Sequence, residues 1–246
     1  MVKQITSEIS WEESELAKLP TEDGFRMRGL ETTRLDTLID AGFAFVLTFL
    51  AISQDTLPTS FTELKESLNS VPALFLSFLI LMIFWLDHRR WSRRYGIETK
   101  TSIYLSTSLL FALLIYIFPL RMIFESMFDF LTDGALSFNF TIETDMDARH
   151  FFALYAAGFL LMSIIVAALY RVAIGRKDAL RLSQKELHDT KGIYHRWLLG
   201  CLFAIISLTL SYTLPMQYIS LAGFILLGLF IAQYIYTVVH RKMEPS

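Results

Sequence analysis

The chain has 246 residues, of which 54% are hydrophobic and only 19% charged; its net charge is −2 and its mean hydropathy is +0.46. A soluble domain carries about a quarter charged residues, so this composition excludes an ordinary soluble fold, and a near-neutral balance points to no nucleic-acid partner. The single cysteine, Cys201, excludes an internal disulfide and reads as a small buried apolar residue.

Residues 1–33 carry Glu8, Glu12, Glu13, Glu15, Glu22 and Asp23 and hold no continuous apolar core. They lack the pattern of a secretory signal peptide and are expected to form a cytoplasmic N-terminal segment. Within it, residues 8–19 are either a short amphipathic helix or a loosely ordered acidic tail.

A membrane-crossing helix needs about 20 apolar residues. Six runs approach that length: Leu35–Ile52, Val71–Leu86, Ile103–Leu120, Phe151–Tyr170, Trp197–Leu214 and Tyr218–Val239. The first contains Asp36 and Asp40, and the polar end of the second (Asp87, His88) is a possible continuation of its helix. Residues 122–131 place Met122, Phe124, Met127, Phe128 and Leu131 opposite Glu125 and Asp129. That pattern predicts a short helix lying in the outer interface.

Lysine and arginine counts set the orientation. Residues 1–34 hold five, 53–70 one, 87–102 five, 121–150 two, 171–196 seven, and 215–217 none, with Arg241 and Lys242 in the tail. High and low counts alternate strictly, which places the basic segments and both termini in the cytoplasm. The two longer connections on the opposite side are acidic, beginning with Asp55 and Glu63. The arginines of 89–94 lie outside the apolar run, where their usual roles are topology and contact with anionic headgroups. No internal repeat divides the chain. It reads as a six-helix domain over 34–240, flanked by residues 1–33 and a tail over 241–246.

Asp40 is the first residue needing an explanation. A carboxylate in a spanning helix costs about 2.5–3.5 kcal/mol on insertion scales, so it should be paired or face water. It either lines an ion path or ties neighbouring helices together. Arg34, Trp85, His88, Ser106, Thr107 and Ser108 all fall near its membrane level, and residue types alone favour the structural node. On the same helix, Ala41, Phe45, Thr48 and Ile52 recur at spacings of four, three and four and share a face. Such a stripe is a packing surface or a pore lining. Gly42 and Ala44 are small enough for close helix approach.

Several chemistries lack their motifs. The chain has no H-E-x-x-H, no cysteine–histidine grouping with metal-ligand spacing, no glycine-rich phosphate loop, no G-x-S-x-G nucleophile and no T-V-G-Y-G filter. No enzyme activity, bound cofactor or tightly held metal is expected.

Arg34-x-x-x-Leu38-Ile39-Asp40, followed by Ala44 and Thr48, resembles the first helix of the transmembrane-protein-175 potassium channels, whose motif there is R-x-x-x-F-S-D with a threonine eight residues on. Trp85-x-x-His88 is similar to that family's W-x-x-H, and Phe118-Pro119 to the proline ending its third span. The resemblance covers most of the chain in topology and the first three spans in motif. It implies an all-α integral membrane protein with six transmembrane helices per subunit, assembled as a homotetramer in the plasma membrane (in a bacterium, the inner membrane). The first helix of each subunit would line a central pore passing potassium ions, without a carbonyl filter. Carried over by position, the constriction falls on Phe45, a hydroxyl layer on Thr48 and the next apolar ring on Ile52, with Ala41 on the same face. Arg34, Asp40, Trp85, His88 and Ser108 (or Thr107) would form the network holding the first three helices. The chain departs from the family pattern at Leu38 and Ile39, which replace phenylalanine and serine, and at Phe45, which is larger than the usual aliphatic residue. The alternatives are a proton-conducting channel or proton-coupled transporter of the same fold, a membrane enzyme acting on lipid, and a non-conducting scaffold.

Overall fold

The computed structural model describes residues 11–52, 59–136 and 142–243. The acidic positions Glu8 and Asp55 and residues 244–246 of the tail lie outside these segments, as does the side chain of Ile52.

The described residues fold as helices α1 (Glu13–Leu16), α2 (Arg34–Ile52), α3 (Phe61–Asn69), α4 (Val71–Tyr95), α5 (Lys100–Leu131), α6 (Asp145–Gly175), α7 (Gln184–Thr213) and α8 (Ser220–Lys242). A small antiparallel hairpin, β1 (Thr21–Glu22) with β2 (Phe25–Arg26), follows α1. Five helices are long and apolar enough to cross a membrane: α4 to α7, and α8 with the 3₁₀ turn before it. The 19-residue α2, with Arg34, Asp36 and Asp40 in its sequence, is not among those five.

Local sequence explains the helix boundaries. Thr99, Thr144 and Ser183 each cap a helix by accepting the N–H of the third helical residue, and each donates its own N–H to that residue's side chain, a capping box that satisfies two orphan N–H groups at once. Gly96 ends α4 in the left-handed conformation, at φ 57°. Arg149 donates to the carbonyls of Ser211 and Leu214 at 3.0 and 2.9 Å, closing the far end of α7. The polar end of the second apolar run does continue as helix, through His88 to Tyr95.

Residues 122–131 correct the expectation of a separate interfacial helix. They continue α5, which runs unbroken past Pro119, and Arg121 pairs with Glu125 one turn on at 2.8 Å. A 32-residue helix is about 48 Å long against a hydrocarbon core of about 30 Å, so α5 projects beyond the bilayer. The amphipathic pattern reflects that projecting turn, one side of which packs: Ile123 and Phe124 are buried.

The N-terminal segment is anchored to the bundle. Trp11, Leu16, Phe25, Met27 and Arg28 are buried, and the Trp11 N–H bonds the Ala179 carbonyl at 3.2 Å. Only four residues, Glu13–Leu16, form helix within the 8–19 stretch. The chain then crosses the end of α4 with almost no clearance. A Cβ on Gly29 would lie 2.3 Å from the Ser92 carbonyl oxygen and 3.1 Å from the Gly96 Cα. Residues 25–29, 93–96, 180–190 and 240 therefore gather at one end of the bundle, called here the basic end.

A candidate pore helix and its buttress

Helix α2 has two unlike faces. Leu35, Ile39, Phe43, Val46 and Leu50 recur every three or four residues and are buried in the core shared with α4 and α5. Gly42 permits that approach, since a Cβ there would lie 2.4 Å from the Leu110 Cδ2. The opposite stripe, Ala41, Ala44, Phe45 and Thr48, is exposed in the single subunit, with Phe45 58% exposed. The Thr48 hydroxyl donates to the Ala44 carbonyl at 2.8 Å, leaving its oxygen lone pairs outward. Phe45 stacks on Phe49, which meets Phe118 edge-on at 5.5 Å.

The buttress is built from α4. Thr33 caps α2: its N–H and hydroxyl both donate to Asp36 Oδ2, at 3.0 and 3.1 Å, and it accepts from the Asp36 N–H. The other oxygen, Oδ1, accepts from the Ser92 hydroxyl at 2.5 Å. One turn along, Asp40 Oδ1 accepts from the Trp85 indole N–H at 2.8 Å. On the next face of α4, His88 Nε2 meets the Ser106 hydroxyl at 2.9 Å, both groups buried. Helix α4 thus ties α2 twice and α5 once. Gly29, Thr32, Asp36, Asp40, His88 and Arg89 are among the residues around a polar cavity of about 340 Å³ beside these bonds.

Not every residue expected in this network joins it. The hydroxyl on His88 is that of Ser106, while Ser108 is exposed; two residues along a helix is a rotation of about 200°, which turns Ser108 away. Arg34 is exposed and, among the described residues, makes no hydrogen bond or ion pair with Asp40, Trp85 or His88. Its rotation of about 240° from Asp40 sets it on the Ala41 side of the helix instead. Asp36, unassigned from the sequence, takes a place in the buttress.

A second buttress at the basic end is absent from the sequence reading. Glu186 is 1% exposed and receives bidentate bonds from Arg28, both 3.0 Å, and bonds from the Arg26 guanidinium and N–H at 2.8–3.2 Å. Burial works against its charge, and the Arg26 and Arg28 hydrogen bonds overcome that, holding the carboxyl down at about 2. Arg28 also bonds the Leu180 carbonyl at 2.9 Å, so the N-terminal segment is fastened to the connection before the fifth apolar run. Deeper in, the Trp197 indole donates to Asp87 Oδ2 at 2.7 Å, and Asp87 also pairs with Arg90. The spacing Ser183-x-x-Glu186, a capping-box signature, was the available signal for part of this arrangement; the partners from residues 26–28 had none. Among the described residues, no group of three or more His, Cys, Asp or Glu side chains is placed to hold a metal ion.

Residues 34–119 match the family model described as endosomal/lysosomal potassium channel TMEM175. A protein of Marivirga tractuosa named potassium channel is 29% identical over 196 residues, covering 76% of this chain and 77% of that one. The crystal structure of a variant of the potassium channel MtTMEM175, bound to a nanobody–MBP fusion, superposes with a TM-score of 0.77 at 24% identity, covering 91% of this chain and all of that one. A structure titled as a lysosomal potassium-selective channel TMEM175 homolog from Chamaesiphon minutus gives 0.56 at 18% identity, covering 85% and 97%. The fold is that of a multi-helix membrane protein of the kind seen in these channel structures. The match to the TMEM175 family model lies over the very helices that carry the buttress. Its relatives are named as channels and not as enzymes.

Proposed function

We propose that the protein is a potassium-permeable cation channel, a homotetramer in which α2 lines a central pore and acts as the sixth span. The observation that carries this reading is the division of α2 into a buried face and the exposed stripe of Ala41, Phe45 and Thr48. A helix carrying Asp36 and Asp40 in its first two turns is poorly suited to face lipid alone. Four such stripes around one axis would give it a polar mouth and an apolar throat. Phe45 forms the constriction, the outward oxygen of Thr48 offers a lone pair to a passing ion, and Ile52 provides the next ring. Selection then rests on the cost of dehydrating the ion at the throat, in place of a carbonyl filter.

In this reading 34–240 is the channel unit and 1–33 and 241–246 are its cytoplasmic flanks. The basic end faces the cytoplasm of a plasma membrane, in keeping with the positive-inside bias of its connections. Asp40 acts as a strut, in agreement with its bond to Trp85. The test is flux from proteoliposomes containing purified protein under opposed potassium and sodium gradients, with and without a proton gradient. Potassium flux exceeding sodium flux is expected. Currents that follow the proton gradient alone would favour a relay through Asp40 and His88, which share the polar cavity. Absence of all three fluxes from a folded tetramer would mean that the Phe45 rings seal the axis.

A further inference from the structure

An apolar crevice and a cationic basin at the basic end of the bundle share a wall. The basin, about 480 Å³, is lined by Arg90, Arg94, Lys185, Arg196, His240 and Arg241, opposed only by Asp23 and Asp189. The crevice, about 290 Å³, runs between α4 and α8 and is lined by Phe84, Phe159, Leu226 and Phe230 among others. Arg90 and Arg196 line both, so the two spaces adjoin across these side chains. The crevice is open along its side, where Ile83, Leu86, Leu227 and Phe230 are each 38–46% exposed.

Arg94 Nε is buried with no hydrogen-bond partner, and its guanidinium lies 4.5 Å from the Phe25 ring centre. Among the described residues, no carboxylate pairs with Arg94, Arg196 or Arg241, while Arg90 already spends its charge on Asp87. Guanidinium groups without a carboxylate partner favour an anionic acceptor through charge-assisted hydrogen bonds. The apolar crevice leading away from them asks for a hydrocarbon chain. One ligand class meets both demands.

We propose that these adjoining spaces are a binding site for an anionic phospholipid, with its phosphate in the basin against Arg94 and Arg196 and one acyl chain in the crevice between α4 and α8. A soluble phosphate would leave the crevice unfilled, and a neutral lipid would leave the arginines unpaired. A single lipid so placed bridges α4, which carries the buttress of α2, to α7 and α8.

The test is native mass spectrometry of the full chain in detergent, titrated with dioleoyl phosphatidylglycerol or dioleoyl phosphatidylcholine. Retention of phosphatidylglycerol is expected to exceed that of phosphatidylcholine. In the doubly substituted Arg94→Gln, Arg196→Gln protein it should fall by about fivefold per charge removed. Leu227→Trp, which fills the crevice without touching the charge, should reduce retention of phosphatidylglycerol on its own, so the proposal stays testable if the double variant folds poorly. Equal retention of the two lipids would overturn it, as would undiminished retention by both variants. Displacement of phosphatidylglycerol by inorganic phosphate alone would reassign the basin to a free anion. Binding that occurs only after the subunits separate would show that a second copy covers the crevice.

Discussion

Arg28 and Glu186 close a bidentate ion pair with both side chains withdrawn from solvent, 0% and 1% exposed, although 158 positions separate them in the chain. The pair fastens the N-terminal segment beneath the helices and fixes the start of α7. Every remaining oxygen lone pair has a use: Arg26 donates twice from its guanidinium and once from its backbone, and the Ser183 N–H donates at 2.9 Å. Buried charges are tolerated only when satisfied in this way.

Removing one partner should therefore be expensive. Glu186→Gln leaves Arg28 buried without a counter-charge, and the expected loss is about 3–5 kcal/mol. Thermal unfolding in detergent measures it, together with limited proteolysis of residues 11–29, which should become faster. An unchanged melting temperature would show that the pair contributes no net stability.

The same carboxylate predicts a pH dependence. Its folded value, about 2, lies below the ordinary 4.5, so the unfolded chain binds the proton more readily. Its stabilising contribution is complete above about pH 4.5 and is lost as the pH falls from there through about 2. Melting temperatures across that window should decline more steeply for the parent protein than for Glu186→Gln. Parallel slopes would mean that other carboxylates govern the acid limb.

At the candidate pore, Phe45→Ala removes the largest exposed side chain of the stripe. The permeability ratio of potassium to sodium should fall by about tenfold, equal to about 1.4 kcal/mol of lost discrimination, with a rise in single-channel conductance. Bilayer recordings with unchanged ratios and conductance would place the constriction elsewhere.

Asp40 and Trp85 make the opposite prediction. Trp85→Phe deletes the 2.8 Å bond and should cost about 1.5–3 kcal/mol, the range for a hydrogen bond to a charged group. Asp40→Ala should lower melting temperature and tetramer yield while leaving selectivity as it was. Normal assembly with altered selectivity would move Asp40 into the ion path.

Two glycines should respond unequally to alanine. At Gly29 the added carbon meets the Ser92 carbonyl oxygen at 2.3 Å, a rigid backbone atom, so the crossing must open. At Gly42 it meets the end of the Leu110 side chain at 2.4 Å, which has other rotamers. A loss of several kcal/mol is expected for Gly29→Ala and about 1 kcal/mol for Gly42→Ala. Equal losses in thermal melts would mean that Leu110 is as fixed as the backbone.

Much of this molecule was legible in the sequence because the bilayer is a demanding solvent. Long apolar runs can satisfy their backbone there only as helices, and so the five strongest spans stand out. Alternating basic and acidic connections give the orientation to be expected. A partner for Asp40 at its own level was to be expected too, since a carboxylate in an apolar helix must seek a donor, and Trp85 was one of six candidates. Tertiary structure decided what spacing leaves open. It chose Ser106 over Ser108 by helix rotation, carried residues 122–131 onward as part of α5, and turned Arg34 toward the exposed stripe. It also brought Arg28 to Glu186 and Trp197 to Asp87, contacts across 158 and 110 positions that no local pattern encodes. Hydrophobic periodicity assigns each helix a buried face, but the partner for a polar group on that face depends on which distant helix packs against it.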